Sequence, residues 1–367
     1  MVLASTNIGG AEMFVLSLLK NIDLERFQVD VVASLQEKGE GISKDIKALG
    51  CNIYFLPYFK VVNYLQYTKA WDRFLSEHEY DIVHGHSTNS ASIYLRIAKK
   101  HGCATIAHSH SAGFRGNLIQ RMVKAFFASR VTKVADYWFA CSEKAAEHLY
   151  GKKYKEYKNY HTIPNAINVE KYKFSEQIRN EIRKNLNLTS DVFLCGHIGS
   201  FTTPKNHLFL LDVFSSVLSV IPTARLVLCG DGSLRQEIEN KVNGLNIRDK
   251  VIFCGIVRNP NEYMMAMDVL VFPSLFEGFP ITVIEAEATG LPVVMSDVIT
   301  NEVDLTTCIN RCSLDDEPKK WASVICETKG EDRIKMNEII SSSKHNIKQS
   351  VETIISLYDE MVKCAIE

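Results

Sequence analysis

Two glutamates in the second half of the chain have the spacing that most suggests chemistry. Glu277 and Glu285 lie in the segment PSLFEGFPITVIEAEATGLPVV, where an apolar run ends, the turn EGFP follows and a helical pattern begins near Ile281. Amides at a helix start attract anions, and a carboxylate accepts two hydrogen bonds at once, which suits the vicinal hydroxyls of a sugar. By itself the pattern also fits a Glu277 that caps the helix and a solvated Glu285.

A lysine, a glycine pair and four histidines are further candidates, and they lie at or after the ends of predicted strands. Lys205 lies in IGSFTTPKNH, and Gly9 and Gly10 lie in NIGGAE. A fixed ammonium stabilises charge that builds on a leaving diphosphate, and glycines let the backbone approach a ligand closely. The histidines are His84 and His86 in DIVHGH and His108 and His110 in ATIAHSH. Taken singly, these patterns also fit a surface lysine, a simple turn and structural histidines.

Short apolar runs alternate with longer amphipathic segments, which is typical of buried parallel strands separated by helices. The amphipathic segments include AEMFVLSLLKNI, NHLFLLDVFSSVLSVI and LRQEIENKVNGL. The predicted strands lie at 27–34, 52–57, 81–86, 104–110, 137–142 and 160–165, and in a second series at 192–200, 224–230, 250–255, 268–274 and 291–297. We therefore expect an α/β fold with two doubly wound parallel sheets that bind ligands at the carboxyl ends of their strands.

The two series are separated by a polar stretch between about Pro164 and Asp191, which we interpret as a linker. The predicted domains are 1–166 and 167–347. An apolar-periodic stretch at 348–367 predicts a terminal helix that crosses back to the first domain. The chain begins almost inside its first strand, so either that strand is short or the protein begins further upstream.

Composition narrows the class of protein. The 367 residues suffice for two domains, and 46% hydrophobic with 23% charged residues is an ordinary globular mixture. The ten cysteines lack zinc spacing, so we expect reduced thiols. No apolar run is long enough to span a bilayer and no charged leader precedes the first strand, so we expect a cytoplasmic protein.

The net charge of -1 hides an asymmetry between the two halves. Residues 1–165 carry a net charge of +6 and the remainder carries -7, and no acidic residue lies between Asp81 and Asp136. Within that interval, GFRGNLIQRMVKAFFASRVTK mixes basic residues with apolar ones at helical spacing. Such a helix favours peripheral contact with an anionic membrane face, although a core-packed helix with a solvated face explains the pattern equally well.

Together these motifs closely resemble the retaining family-4 glycosyltransferases, whose GT-B architecture has two Rossmann-like domains facing a central cleft. The resemblance covers nearly the whole chain and rests on the E-x7-E segment together with NIGGAE, DIVHGH, IAHSH, IPNAIN, IGSFTTPKNH, LCGDG and VIFCGIVRN in this order. It is strongest for enzymes of capsule, exopolysaccharide and O-antigen synthesis. It implies transfer of a hexose or N-acetylhexosamine from a nucleotide-diphosphate sugar to a lipid-linked saccharide. We choose UDP as the nucleotide.

The resemblance also implies roles for individual residues. Glu285 would hold the ribose hydroxyls, Lys205 would neutralise the diphosphate, and His108 would contact the donor sugar near the reacting centre. The implied catalytic residues are His108, Lys205 and Glu277, and the implied donor-binding residues are Gly9, Gly10, Lys205, Gly230, Ile256, Val257, Arg258, Glu277, Gly278, Phe279, Pro280 and Glu285. His110 is the rival of His108, and the acceptor side would be lined by His84, His86, His110 and Arg115.

One position departs from the family. Many members have an arginine five residues before the lysine, where this chain has Ser200. Lys205 is then the cation that is left in this segment. Either another cation such as Arg258 replaces the arginine, or backbone amides hold more of the diphosphate.

We expect no metal, no other cofactor and no nucleic-acid partner, because no D-x-D follows a strand and the family needs no metal. Three other interpretations stay open: a nucleotide-sugar epimerase of the same architecture, a family member with a small soluble acceptor, and a catalytically silent nucleotide-sugar-binding protein. An epimerase would convert the donor without an acceptor. A silent protein would turn over no UDP- or GDP-sugar.

Overall fold

The computed structural model describes residues 1–7, 9–34, 41–110, 113, 118–277, 279–330 and 332–366. The chain divides into two compact units, residues 1–166 with 347–367 and residues 167–346. Each unit is an alternation of parallel strands and helices, as the apolar runs of the sequence predict. In the described part of the chain, no helix is both long enough and apolar enough to cross a bilayer.

The first unit is built on a parallel sheet. Its described strands are β1 (Val2–Leu3), β2 (Val31–Ala33), β3 (Ile53–Phe55), β4 (Ile82–Gly85), β5 (Ala104–Ser109), β6 (Tyr137–Ala140) and β7 (Tyr160–Thr162). Its described helices are α1 (Gly10–Leu19), α2 (Ser43–Ala48), α3 (Tyr64–Glu77), α4 (Ala91–Lys100), α5 (Leu118–Ala128), α6 (Glu143–Tyr150) and, after the second unit, α14 (Ile347–Ile366). The strand order is β3-β2-β1-β4-β5-β6-β7, so β1, β4 and β5 lie at its centre.

Helices cover both faces of this sheet, which is why its strands are apolar almost throughout. On one face the core includes Trp71 and Tyr94, whose rings stack at 5.0 Å. On the other face it includes Phe14 of α1, Phe139 of β6 and Tyr358 of α14. The terminal helix therefore packs on the first sheet, beside the ends of β4 and β5.

The second unit repeats the plan. Its described strands are β8 (Leu194–Ile198), β9 (Arg225–Cys229), β10 (Val251–Gly255), β11 (Val269–Phe272), β12 (Val293–Ser296) and β13 (Ile309–Cys312). Its described helices are α7 (Glu176–Asn185), α8 (His207–Val220), α9 (Arg235–Gly244), α10 (Pro260–Ala266), α11 (Ile281–Ala288), α12 (Pro318–Glu327) and α13 (Arg333–Ser341). All strands pair in parallel in the order β10-β9-β8-β11-β12-β13, and the order reverses beside β8.

The structure differs from the sequence-based prediction in two elements. The stretch interpreted as an irregular linker forms α7, which Ser175 caps by accepting a hydrogen bond from the amide of Ile178 at 3.4 Å. Its sequence EQIRNEIRKN offers too few apolar residues to reveal a buried stripe. Strand β13 was also missed, because its sequence INRC alternates apolar and polar residues over only four positions.

Candidate functional site

The loops that follow β8 and β11 bring Lys205 and Glu277 into contact. The Nζ atom of Lys205 lies 2.6 Å from Oε1 of Glu277, and the two side chains are only 18% and 15% exposed. The ammonium also lies 4.8 Å from the centre of the ring of Phe272, the last residue of β11. Because little water reaches either partner, their attraction is screened less than that of a surface ion pair.

Two hydrogen bonds join these loops and fix the position of the ion pair. Asn206 adopts a left-handed backbone conformation with φ of 55°, and its Nδ2 donates to the carbonyl of Pro273 at 3.1 Å. The amide of Leu275 donates to the carbonyl of Pro204 at 2.8 Å. Asparagine tolerates the left-handed region better than most residues, so the Lys-Asn pair of the sequence suits this turn.

Glu285 lies on α11, eight residues after Glu277, and is held by a residue from another segment. The hydroxyl of Tyr172 donates to Oε1 of Glu285 at 2.5 Å. Burial raises the pKa of Glu285, and the hydrogen bond from Tyr172 opposes that rise. Burial also raises the pKa of Tyr172 well above its usual value, so the phenol keeps its proton and acts as the donor. The carboxylate is therefore fixed in orientation.

Two buried histidines lie beside Lys205. Nδ1 of His197 lies 2.9 Å from the carbonyl oxygen of Val271, and the ring of His207 meets that of His197 edge-on at 4.6 Å. Burial, followed by the charge of Lys205, lowers the pKa of His207 to about 4. Burial and the neighbouring His207 lower the pKa of His197 well below its usual value. Both rings are thus neutral near pH 7, and the positive charge at this place is that of Lys205.

The other predicted donor-binding residues of the second unit follow neighbouring strands. A Cβ atom at Gly230 would lie 1.9 Å from the carbonyl oxygen of Gly199, and φ of Gly230 is 146°, so this close crossing requires glycine. After β10, Ile256 and Arg258 are exposed and Val257 is half-buried.

The start of α11 holds the remaining predicted residues. Phe279 stacks on His345 with ring centres 5.3 Å apart, and Pro280 directly precedes the helix. Gly278 lies outside the described residues. Ser200, the position at which the resemblance leads us to expect an arginine, is exposed, and its hydroxyl oxygen lies 3.3 Å from that of Thr202.

In the first unit, Gly9 and Gly10 form the start of α1, directly after the strand-end loop of β1. Gly9 precedes the helix in an extended conformation, and a Cβ atom there would meet only the carboxylate of Glu12, 2.5 Å away. A Cβ atom at Gly10 would meet open space. The backbone is therefore accessible here, as a ligand-facing loop requires. At Gly10, however, the neighbouring atoms would also leave room for a larger residue.

The four predicted histidines form one cluster, which we call the histidine block. Nε2 of His84 lies 3.1 Å from Nδ1 of His108, and Nδ1 of His86 lies 2.8 Å from Nε2 of His110. The two pairs are stacked: the ring centres are 4.2 Å apart for His84 and His86 and 4.1 Å apart for His108 and His110. Each strand contributes residues two positions apart, whose side chains share one face of the sheet.

Burial keeps the block electrically neutral. Burial, followed by the nearby histidines, lowers the pKa of His84, His86 and His108 well below the usual value, and burial lowers that of His110 to about 4. Tyr358 on α14 contacts the block, since its hydroxyl lies 2.7 Å from Nδ1 of His84. His108 lies within β5 and is fully buried, whereas His110 directly follows the strand and is half-buried. Arg115, the other predicted acceptor-side residue, lies outside the described residues.

The ring nitrogens of His84, His86 and His108 lie within 4.8 Å of one another, which raises the question of a metal. The rings of His84 and His108 are nearly coplanar, at 9°, and meet edge to edge. Their facing nitrogens thus point at each other, whereas zinc ligands converge on one ion about 2.0–2.1 Å from each nitrogen. This geometry suits hydrogen-bonded imidazole pairs better than a metal site.

Sequence reasoning missed Tyr172, His197 and the pairing within the histidine block. The signal for the block was available, because the H-x-H pattern occurs at the ends of two strands, in DIVHGH and ATIAHSH. No such signal marks Tyr172, since the residue lies in the stretch interpreted as a linker and 113 positions from Glu285.

Comparison with known protein families gives two matches. The model described as Glycosyltransferase Family 4 matches residues 8–171, and the model described as Glycosyl transferases group 1 matches residues 192–328. The first covers the histidine block and the second covers Lys205, Glu277 and Glu285. Between them they leave the chain ends and the segment 172–191 unmatched.

Curated relatives are similar over most of the chain. EpsF of Bacillus subtilis, named as a glycosyltransferase, is 28% identical over 366 residues, which is 98% of this chain and 95% of EpsF. The capsular polysaccharide biosynthesis glycosyltransferase CapH of Staphylococcus aureus is 25% identical over 92% of this chain and 89% of CapH. An Escherichia coli enzyme named UDP-Gal:alpha-D-GlcNAc-diphosphoundecaprenol alpha-1,3-galactosyltransferase is 26% identical over 62% of this chain and 61% of its own.

Solved structures share the fold. Alr3699/HepE of Anabaena, crystallised in complex with UDP, superposes with a TM-score of 0.79 at 15% identity and covers 98% of both chains. WaaG, a glycosyltransferase involved in lipopolysaccharide biosynthesis, gives a TM-score of 0.67 at 16% identity over 99% of this chain and 97% of its own. The two parallel-sheet units are those of the GT-B fold, which confirms the fold class predicted from the sequence.

Proposed function

The chain belongs to the family-4 glycosyltransferases, and from that premise we propose that it transfers a hexose or N-acetylhexosamine from a UDP-sugar to a lipid-linked saccharide, with retention, in surface polysaccharide synthesis. The observation that carries this proposal is the arrangement of Lys205, Glu277 and Glu285. A half-buried cation and a carboxylate lie in contact at one strand end, and a second carboxylate is held in a fixed orientation on the following helix.

Each of these groups suits one part of a nucleotide-diphosphate sugar. The Glu285 carboxylate accepts hydrogen bonds from the two ribose hydroxyls, and Glu277 accepts from hydroxyls of the donor sugar. Lys205 binds the diphosphate. As the bond from the anomeric carbon to the diphosphate oxygen breaks, its electron pair stays on that oxygen, and a fixed ammonium stabilises the charge that develops there.

Retention follows from attack on the face from which the diphosphate leaves. The acceptor hydroxyl forms the new bond to the anomeric carbon on that face, and its proton passes to the departing phosphate oxygen. No side chain acts as nucleophile in this scheme. We further propose that His108 contacts the donor sugar, the role that the family resemblance implies for it.

The transfer needs no metal in this proposal. The ion pair of Lys205 and Glu277 supplies a cation where a metal-dependent enzyme would place its ion. The edge-to-edge rings of His84 and His108 favour a hydrogen-bonded pair over metal ligation, as described above.

The acceptor class is proposed from the relatives. Capsular polysaccharide synthesis is named for CapH, and a diphosphoundecaprenol-linked acceptor is named for the E. coli galactosyltransferase. A lipid-linked acceptor requires the protein to work at a membrane surface.

The first unit has a surface suited to that work. Met122 and Phe126 on α5 and Leu65 on α3 are 65%, 54% and 73% exposed. Phe126 also lines a cavity of about 660 Å³, whose charged lining residues are four cations, Lys69, Arg96, Lys100 and Arg130, and one acid, Asp72. Apolar side chains flanked by cations suit the interface of an anionic bilayer.

The direct test of the function is a panel of UDP- and GDP-sugars, each incubated with a polyprenyl-diphosphate-linked sugar acceptor and without it. We expect one UDP-sugar to be consumed rapidly only with the acceptor and NMR of the product to show a retained anomeric configuration. Conversion of the donor without the acceptor would identify an epimerase. Turnover of no donor would favour a silent binding protein, and transfer to soluble sugars alone would contradict the lipid-linked acceptor.

The membrane contact is tested by flotation with vesicles rich in phosphatidylglycerol. We expect wild-type protein to float with these vesicles at low salt, and Met122→Ser with Phe126→Ser to abolish flotation. The matched control is Val298→Ser in the second unit, where the side chain is 55% exposed. Equal flotation of the α5 variant and wild type would contradict the contact.

A further inference from the structure

Tyr172 contacts the proposed donor site from outside the segment that forms it. Its hydroxyl donates to Oε1 of Glu285 at 2.5 Å, and the two residues are 113 positions apart in the chain. A hydroxyl that donates to a carboxyl group stabilises its ionised form, because a hydrogen bond to a charged acceptor is stronger than one between neutral groups.

The segment that carries Tyr172 is tied to the helix that carries Glu285. Tyr172 ends the 3₁₀ turn Val169–Tyr172, and one buried side chain joins this turn to α11. Nδ2 of Asn337 on α13 donates to the carbonyl of Val169 at 3.3 Å and to the carbonyl of Ala288, the last residue of α11, at 2.7 Å. The side-chain amide of Asn337 thus links the turn that carries Tyr172 to the helix that carries Glu285.

Two further contacts fix the residues on either side of Tyr172. Nδ2 of Asn261 on α10 donates to the carbonyl of Lys171 at 2.9 Å. The guanidinium of Arg333 lies over the ring of Phe174 at 4.5 Å. Tyr172 itself is only 7% exposed. Because its surroundings are fixed, the phenol does not have to be ordered when a ligand binds.

We propose that Tyr172 is a positioning residue for the donor nucleotide: its hydroxyl holds the Glu285 carboxylate in the orientation that accepts the ribose hydroxyls. This inference rests on the proposed function, because it takes Glu285 to be the acceptor for the ribose. A carboxylate has about four acceptor positions on its two oxygens. Tyr172 occupies one of them and leaves the others for a pair of vicinal hydroxyls.

The hydrogen bond has a second consequence for the charge of Glu285. Burial raises the pKa of this carboxyl, and the hydroxyl of Tyr172 opposes that rise by stabilising the ionised form. Without the hydroxyl, the carboxyl takes up a proton at a higher pH. A protonated carboxyl has lost acceptor capacity, so ribose binding then becomes sensitive to pH.

The experiment is calorimetric titration of UDP into the full-length protein at about pH 6, 7 and 8. The variants are Tyr172→Phe, Glu285→Gln and the double variant, and the matched control is Tyr263→Phe, which alters the other tyrosine of the second unit. We expect Tyr172→Phe to weaken UDP binding about tenfold at neutral pH, more at the acidic end and less at the alkaline end. We expect no further loss from Tyr172→Phe once Glu285 is glutamine, and no loss from Tyr263→Phe.

Two results would overturn the inference while leaving the proposed function standing. The first is wild-type affinity of Tyr172→Phe at every pH. The second is a loss that is the same at every pH and persists in the Glu285→Gln background, because it would show that the phenol acts only through packing. Wild-type affinity of Glu285→Gln would instead remove the assignment of Glu285, and this inference with it.

Discussion

Both units contain predicted site residues with titratable side chains, but these side chains are charged in the second unit and neutral in the first. In the second unit, Lys205 and Glu277 form an ion pair in partial contact with solvent, and Glu285 is bound by a phenol that favours its ionised form. In the first unit, the histidine block is buried and its rings are held neutral. Fixed charges of the first kind suit a charged ligand such as a diphosphate, whereas neutral imidazoles suit contact with uncharged hydroxyls.

Removing the ammonium group of Lys205 should have the strongest effect on the reaction. We expect Lys205→Met to lower kcat by about 100- to 1000-fold with a smaller change in KM, because the ammonium acts mainly on charge that develops in the transition state. The matched control is Lys241→Met. Lys241 pairs with Asp212 at the same nitrogen–oxygen distance of 2.6 Å but lies on α9, away from the strand ends. An unchanged kcat for Lys205→Met in a steady-state transfer assay would show that this charge has no role.

A second prediction concerns how each unit responds to acid. The pKa of His110 is lowered from 6.5 to about 4, so below pH 6.5 the unfolded chain binds more protons than the folded one. The first unit therefore loses stability as the pH falls from 6.5 towards 4, by on the order of 3 kcal/mol for this group alone.

Buried carboxyls with a raised pKa act in the opposite direction to the histidines, and they include Glu12 in the first unit and Glu287 in the second. Burial raises the pKa of Glu287 from 4.5 to about 7, so its contribution is full below pH 4.5 and is lost as the pH rises through 7, opposite in sign to that of His207. Hydrogen exchange followed by mass spectrometry at about pH 7.5 and 5 should show greater opening of the first unit at the lower pH. Equal opening of both units at pH 5 would contradict the prediction that the buried, neutral histidines make the first unit sensitive to acid.

Removing the hydroxyl of Tyr358 should have a smaller effect, and a different one from removing that of Tyr172. Tyr358 bonds a neutral imidazole in the block, whereas Tyr172 bonds a carboxylate. We expect Tyr358→Phe to lower the free energy of unfolding by about 1 kcal/mol and to leave UDP affinity unchanged. Thermal unfolding and calorimetry of this one variant give both numbers. Weaker UDP binding by Tyr358→Phe would place the histidine block within the nucleotide site.

The smallest expected effect is that of a chelator. We expect EDTA to change neither the transfer rate nor the melting temperature, because hydrogen bonds between the imidazoles already satisfy the facing nitrogens of the block. Metal analysis of the purified protein gives an independent check. Loss of activity with EDTA and its recovery with one metal ion would contradict the metal-free proposal.

The sequence predicts the fold far better than it predicts the contacts. Parallel strands buried on both faces appear as apolar runs, which is why β4, β5, β8 and β11 lie within their predicted ranges. Helix α7 was missed because it has a weak apolar stripe. The pairing of His84 with His108 depends on the register of β4 against β5, in which His84 lies opposite Ile106, and the sequence alone does not encode that register.

The contact of Tyr172 with Glu285 is the hardest of these contacts to predict from the sequence. It joins a residue of the stretch interpreted as a linker to a helix more than a hundred positions away, and it depends on Asn337 from a third segment. Neither Tyr172 nor Asn337 belongs to any motif recognised in the sequence. Motifs located the strand-end loops of the site, and tertiary packing determined which side chains reach them.

We propose that the carboxylates and the lysine of the second unit bind the donor nucleotide. Calorimetric titration of UDP into wild-type protein and into the Glu285→Ala variant tests this directly. We predict that wild-type protein binds UDP and that Glu285→Ala binds it about 10- to 100-fold more weakly, because two hydrogen bonds to a charged acceptor are lost. Equal affinity of the two proteins for UDP would contradict the claim.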